Sequence, residues 1–164
     1  CYRNCNFQGV KMNLKVSADV AALNPEIDFA DLGRPKVGVK QSFHDDLGPY
    51  RSQLEQRVAN EWIPTLNPIM WGYEPHRFDL DGVRYTPDFI LLLPDLSVVV
   101  VEAKGEYHNR RATRQVFRQL CHRYADIFFC WLEWKDRDWQ EEWFMEGKKI
   151  PATDVSELKS GWVG

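Results

Sequence analysis

Long apolar runs are missing from this chain of 164 residues. No run approaches the roughly 20 apolar residues that a transmembrane helix needs, so we expect no membrane partner. The first residues also lack the apolar core of a secretory signal, and we expect no export signal there. With 44% hydrophobic and 27% charged residues, the composition is that of an ordinary globular domain with a core of its own.

Cysteines are few, and their spacing is not that of a metal or disulfide framework. They are Cys1, Cys5, Cys121 and Cys130, without a C-x-x-C pair or a histidine at zinc-finger distance. This spacing argues against a structural zinc site and favours reduced thiols. Because free thiols are typical of proteins in a reducing compartment, we expect the protein to be cytoplasmic.

An excess of basic charge is also lacking. The formal net charge of −3 excludes a protein that coats DNA through its overall charge. A surface that binds nucleic acid would therefore have to be local. The seven tryptophans are many for this length, and we expect most of them to pack in the core or at an interface.

The first third of the chain predicts an arm more than a folded core. Proline and glycine recur between residues 25 and 49, with one short helix before them over residues 16–23. We interpret residues 1–11 as an appended remnant before a start at Met12. Residues 1–48 are then an N-terminal arm, and residues 49–164 form the main domain.

From Tyr50 onward, regular elements are predicted. Ser52 is a good helix N-cap, and apolar residues at helical spacing follow it as far as Pro64. Asp81-Gly82 predicts a hairpin between strands over 77–80 and 83–85. Further strands are predicted over 69–73, 89–93, 98–101 and 127–134, and further helices over 109–124 and 139–145.

The order of these elements predicts the fold class. Residues 89–93 and 98–101 are apolar at every position, which is typical of central strands that are covered on both faces. A helix, antiparallel strands, a helix, a strand and a helix follow one another along the chain. We therefore predict an α/β fold with a central mixed β-sheet flanked by helices.

Two acids and a lysine lie at the ends of neighbouring predicted strands. Asp88 follows Pro87 before one strand, and Glu102 and Lys104 end the next. Because side chains alternate along a strand, Glu102 and Lys104 share a face, and Asp88 reaches the same face if the two strands pair. Two carboxylates and an ammonium at one spot are unfavourable unless they bind something. A divalent cation beside a phosphate is the simplest candidate.

Each of these residues also has a simpler explanation. Asp88 alone suits a turn or a strand edge, and Glu102 with Lys104 suits a same-side ion pair at a strand end. Glu55 stands three residues after Ser52, the spacing of a capping box in which the glutamate bonds back to the helix start. These alternatives remain open at the level of the sequence.

Pro87-Asp88, a gap of 13 residues and Glu102-Ala103-Lys104 together resemble the signature of the PD-(D/E)xK nuclease superfamily. The helix start from Tyr50 to Glu55 is similar to the segment that supplies a further acid in many members. Within this superfamily, the chain most resembles phage endonucleases, including the endonuclease I type Holliday-junction resolvases. It also resembles a transposon endonuclease subunit. The resemblance covers residues 50–134 and implies a restriction-endonuclease-like core.

The resemblance implies a Mg²⁺- or Mn²⁺-dependent endonuclease that hydrolyses phosphodiester bonds of DNA. Asp88, Glu102 and the backbone carbonyl of Ala103 would hold the metal, and Glu55 would complete the shell or bind a second ion. Lys104 would orient the attacking water or stabilise developing charge. It further implies a phage origin, action on branched, flap or junction DNA in the host cytoplasm, and a homodimer.

Arginines follow the motif on a predicted helix. Arg110, Arg114 and Arg118 recur every four residues and share one face, with Arg111 one position over. With His108 they are candidates for contacts to the DNA backbone. The alternatives are a solvated helix face and an ordinary loop histidine.

Two rival functions remain open. One is a transposon endonuclease subunit that cuts only with a partner protein. The other is a non-catalytic DNA-binding or assembly protein on a nuclease scaffold. The presence of both acids and of the lysine favours an enzyme over the second rival.

Overall fold

The computed structural model describes residues 22–25, 48–105, 110–151 and 154–155. The interpretation of residues 1–11, the start at Met12, most of the arm and His108 lie outside the described residues. Residues 22–25 and 48 are the described parts of the arm, and Asn24 is the buried residue among them. Its side chain is buried and donates a hydrogen bond to the carbonyl of Ala125 at 3.0 Å. This part of the predicted arm therefore packs against the main domain.

A six-stranded mixed sheet forms the centre of the fold. Its strands, in spatial order, are β1 (Met70–Tyr73), β4 (Phe89–Leu92), β5 (Val98–Gly105), β6 (Ile127–Lys135), β7 (Asp138–Met145) and β8 (Lys148–Ile150). The β5–β6 pair is parallel, and every other pair is antiparallel. A parallel pair needs a crossover connection, which helix α2 (Arg110–Arg123) supplies.

Helix α1 begins where the capping box predicts. It spans Gln53–Arg57, with Ser52 as its N-cap. The Ser52 hydroxyl accepts a hydrogen bond from the Glu55 N–H, and the Glu55 carboxylate accepts one from the Ser52 N–H, both at 3.2 Å. The helix start is thus fixed by its own local sequence.

The α-helix ends before Pro64, as predicted, but helical turns of other types continue past this residue. The chain continues from α1 as a π-helical turn (Val58–Trp62) and then a 3₁₀ turn (Ile63–Leu66) that contains Pro64 near its start. Proline is tolerated in a first helical turn because the missing N–H has no helical partner there. The left-handed residue Asn67, with φ 45°, ends the segment.

The predicted hairpin is confirmed, and it forms a small sheet of its own. Strands β2 (Phe78–Leu80) and β3 (Val83–Tyr85) pair antiparallel across Asp81-Gly82. Both turn residues have positive φ, 53° for Asp81 and 90° for Gly82. These values suit the tight turn that an Asp-Gly pair favours.

Apolar layers cover both faces of the central sheet. On one face, Phe117 and Leu120 of α2 and residues of the hairpin pack in one cluster with Val100. On the other, Val58 and Trp62 pack in a second cluster that includes Val101 and Val99. These layers confirm the predicted α/β fold with its central mixed sheet.

No helix in the described ranges is long and apolar enough to cross a bilayer.

The predicted helix over residues 139–145 was wrong, because these residues lie in strand β7. Trp139, Glu141 and Trp143 recur every second residue, the period of a strand. The Glu141 carboxylate accepts hydrogen bonds at 2.8 Å from the indole N–H groups of Trp62 and Trp143. Tertiary pairing with β6 thus decides the structure of a segment whose local pattern is ambiguous.

Candidate active site

Asp88 lies beside the free end of β5. The antiparallel pairing of β4 with β5 places Phe89 opposite Val101, and it ends there. Beyond that point β5 pairs only with β6. The Asp88 carboxylate takes the place of the missing strand partner, since its Oδ2 accepts the Ala103 N–H at 2.8 Å. The two halves of the predicted motif therefore meet at one end of the sheet.

Glu102 is buried, and both of its carboxylate oxygens have partners. Oε1 forms an ion pair with the ammonium of Lys104, and Oε2 accepts a hydrogen bond from the hydroxyl of Tyr85. Only 3% of Glu102 is exposed. The shared face that strand alternation predicts for Glu102 and Lys104 is thus present, and the ion pair of the simpler explanation forms as well.

Tyr85 is a site residue that the sequence analysis missed. It ends β3 and is itself buried, with its hydroxyl directed to Glu102. One signal was available in the sequence, because a buried tyrosine usually needs a hydrogen-bond partner and Tyr85 stands three residues before Asp88. The partner itself is fixed only when the hairpin folds over the sheet.

The two carboxylates of the site are held in an unfavourable electrostatic environment. Burial raises the pKa of Asp88 well above its usual range, and the charge of Glu102 raises it further. Burial also raises the pKa of Glu102, although Lys104 and the Tyr85 hydroxyl act in the opposite direction. The local lysine therefore offsets only part of the cost of the two acids.

Lys104 and Tyr85 both keep their protons near neutral pH. Burial lowers the pKa of Lys104, but the charges of Glu102 and Asp88 outweigh this effect and leave the pKa above its ordinary value. Burial and the charge of Glu102 raise the pKa of Tyr85 far above that of a free phenol. Lys104 is thus a fixed positive charge, and Tyr85 is a hydrogen-bond donor to Glu102.

Glu55 closes the capping box and lies near the other acids. Its Oε2 accepts hydrogen bonds from the Arg51 N–H at 2.7 Å and from the Tyr73 hydroxyl at 2.7 Å, besides that from Ser52. Oε1 accepts none from the described residues. The Glu55 charge raises the pKa values of Asp88 and Glu102. Glu55 can therefore cap helix α1 and also lie beside the candidate site.

A further buried acid, Glu74, adjoins Asp88. Its backbone N–H donates to the Asp88 carbonyl at 2.8 Å, and its carboxylate pairs with the Arg51 guanidinium at 2.9 Å. Glu74 has a left-handed backbone with φ 45°, which is uncommon outside glycine. The sequence offered no signal for this residue, because the αL conformation and the ion pair arise only after β1 pairs with β4.

The oxygen atoms at this sheet end fit a divalent cation, although the described residues contain no group of three or more His, Cys, Asp or Glu side chains arranged for a metal. Asp88 and Glu102 supply two carboxylates. The Ala103 N–H points to Asp88, and a strand residue directs its N–H and C=O to the same side. The Ala103 carbonyl therefore lies on the same edge of β5 as Asp88 and is available as a third oxygen donor, and such a set suits Mg²⁺ or Mn²⁺.

The predicted arginine stripe is split by the fold. Arg111 and Arg118 are exposed on α2, which Arg110 opens. Arg114 is half-buried instead and forms an ion pair with Glu142 of β7. Its guanidinium also lies 5.2 Å from the ring of Trp131. Arg114 thus joins the helix to the sheet, while the two exposed arginines remain open to solvent.

Comparisons of this chain with protein-family models, with curated proteins and with solved structures find no match. The functional argument therefore depends on the geometry and charge of the site.

Proposed function

We propose that the protein is a metal-dependent DNA endonuclease that hydrolyses phosphodiester bonds. The observation that carries this proposal is the meeting of the partly buried Asp88 and the buried Glu102 carboxylates with the Lys104 ammonium, at the end of β5 that β4 does not cover. Buried acids with raised pKa values beside a charge partner are frequent at functional sites. The resemblance of the same residues to the PD-(D/E)xK signature supports this reaction over others.

The residues have separate tasks in the proposed reaction. Asp88, Glu102 and the Ala103 carbonyl hold a divalent cation, with Glu55 beside them. When bound, this cation supplies a water of lowered pKa and neutralises charge on the phosphate. Lys104 is protonated, so it acts through its charge and not as a base. It stabilises the negative charge that develops on the phosphate oxygens.

The substrate is proposed to be branched, flap or junction DNA. This part rests on the resemblance to phage resolvases, as do the phage origin, the host cytoplasm and the homodimer. Exposed Arg111 and Arg118 on α2 are suited to contact the phosphate backbone, because guanidinium groups bind phosphates strongly. A set of labelled DNAs (single-stranded, duplex, flap and four-way junction) tests the choice, and faster cutting of plain duplex would contradict it.

Plasmid nicking tests the reaction itself. Wild type is expected to nick supercoiled plasmid with Mg²⁺ or Mn²⁺ and to stop when the metal is chelated. Asp88→Asn is expected to lose nicking. Glu141→Gln is the matched control, because it also neutralises a partly buried, hydrogen-bonded carboxylate, but one that is held by two tryptophans. Nicking by Asp88→Asn at the wild-type rate would overturn the proposal.

A further inference from the structure

A pocket of about 490 Å³ opens beside the β2–β3 hairpin and the end of α2. Its size falls within the range of sites that hold small molecules or parts of larger ones. None of its residues belongs to the candidate active site. It is lined by His76, Arg77, Phe78, Asp79, Arg123 and Tyr124.

Aromatic rings form one wall of this pocket. The rings of His76 and Phe78 meet edge to face with centroids 4.7 Å apart, and those of Phe78 and Tyr124 do so at 4.9 Å. Phe78 is 1% exposed and belongs to the core cluster under α2. Tyr124 is likewise only 2% exposed, so these two rings anchor the wall in the core. The partly exposed ring of His76 is the aromatic surface that a sugar or a base can contact.

Two cationic side chains add positive charge to the pocket. Arg77 and Arg123 are both exposed, and neither forms an ion pair with any residue that the structure describes. The carboxylate of Asp79 instead accepts the Gly82 N–H at 2.9 Å and so supports the hairpin turn. On a chain with a net charge of −3, such a local excess of cations favours an anionic ligand.

The pocket is joined to the candidate active site through two short connections. Glu74, whose N–H bonds to the Asp88 carbonyl, stands two residues before His76, a reach of about 7 Å at most. Phe78 lies opposite Tyr85 in the hairpin, and the Tyr85 hydroxyl bonds to Glu102. The residues that line the pocket are therefore close neighbours, along the chain and across the hairpin, of residues that contact the site.

We infer that this pocket binds a nucleotide of the DNA strand that occupies the candidate active site. The phosphate contacts Arg77 and Arg123, and the sugar or base lies against the partly exposed ring of His76. The inference rests on the proposed function for the identity of the substrate. It adds a binding contact outside the motif, one that sets the path of the strand.

Fluorescence anisotropy with a labelled four-way junction, in Ca²⁺ to prevent cutting, tests this inference. Arg77→Ala and Arg123→Ala are each expected to weaken binding roughly three- to tenfold and to lower the salt slope by about one. Arg84→Ala is the matched control, because Arg84 is exposed on the same hairpin but does not line the pocket. Unchanged binding by both pocket variants, or an equal loss in the control, would overturn the inference.

A parallel nicking assay separates this inference from the proposed function. If wild type binds DNA through the pocket arginines but does not nick, the nuclease proposal fails and the pocket inference stands. If wild type nicks while the pocket variants bind normally, only the pocket inference fails. Tighter binding of RNA of the same sequence through the same arginines would overturn the assignment to DNA.

Discussion

The hydroxyl of Tyr85 donates a hydrogen bond to Oε2 of Glu102, across the gap between the β2–β3 hairpin and the end of β5. Because Glu102 is buried and its other oxygen pairs with Lys104, this hydroxyl satisfies the remaining side of the carboxylate. The small hairpin sheet thus helps to position the central acid of the candidate site.

Replacement of Tyr85 by phenylalanine is expected to destabilise the protein. It removes the donor and leaves a buried carboxylate oxygen without a partner, which costs about 1–3 kcal/mol in the free energy of unfolding. Urea unfolding measures this change. Tyr50→Phe is a control, because the Tyr50 ring packs against Tyr73 and Phe89 while its hydroxyl makes no hydrogen bond among the described residues. Equal stability losses in the two variants would contradict the role of Tyr85.

The raised pKa of Asp88 predicts an unusual pH dependence of stability in metal-free protein. Unfolded aspartate titrates near pH 4, and burial with the Glu102 charge raises the folded value well above this. Between the two values the folded state binds more protons than the unfolded state. The free energy of unfolding therefore falls as pH rises from about 4 through the folded pKa.

Asp88→Asn tests this dependence. The amide removes the titrating group and still offers an oxygen to the Ala103 N–H. We expect the variant to be more stable than wild type at neutral pH, by about 1.4 kcal/mol for each unit of the pKa difference. Urea unfolding from pH 4 to 8 in a chelator gives the comparison. A wild type that gains stability over this range, relative to the variant, would show that the sign is wrong.

Lys104→Ala is expected to separate metal binding from catalysis. Lys104 is protonated and pairs with Glu102, so its removal deletes the charge near the phosphate and leaves the oxygen ligands in place. The nicking rate at saturating Mg²⁺ should fall roughly 100- to 1000-fold. Lys149→Ala is the control, since Lys149 also pairs with a glutamate, Glu142 of β7, which lies two strands away from β5 in the sheet. Nicking by Lys104→Ala at the control rate would rule out this role.

The two roles of Glu55 can be distinguished by a pair of variants. Ser52→Ala removes the cap hydroxyl and is expected to cost about 1 kcal/mol in the free energy of unfolding, with nicking by the folded protein retained. Glu55→Gln keeps an oxygen that accepts from the cap N–H groups but loses the charge. It should therefore keep most of the stability, and it should raise the Mg²⁺ concentration that is needed for half-maximal nicking. If Glu55→Gln needs no more Mg²⁺ than wild type, Glu55 is a capping residue only.

Much of the fold was predictable because local patterns and tertiary contacts agree. The Ser52–Glu55 capping box, the Asp81-Gly82 turn and the apolar strands on either side of residues 94–97 each determine a local structure that the fold keeps. Residues 139–145 were misassigned, because a strand that pairs with β6 on one side and β8 on the other is determined by its neighbours. The tolerance of Pro64 depends likewise on a change of helix type at that position.

The site was predictable only where strand alternation decides it. Glu102 and Lys104 share a face for that reason, and Asp88 follows from the pairing of β4 with β5. Tyr85 reaches the site from a separate sheet. Glu74 adjoins the site because its own backbone is left-handed, directly after β1. Neither position can be derived from spacing along the chain. For Arg114, the spacing along the chain was misleading. It fits a helical stripe of exposed arginines, but in the fold it pairs with Glu142 of β7.

The rate at which Glu102→Gln nicks supercoiled plasmid in saturating Mg²⁺ tests the central claim most directly. Glutamine preserves the shape of the side chain and an acceptor for the Tyr85 hydroxyl, but it removes the negative charge that would hold the cation in the proposed reaction. The account predicts a rate at least roughly 100-fold below that of wild type, in a protein that remains folded. A folded Glu102→Gln variant that nicks as fast as wild type would contradict the account.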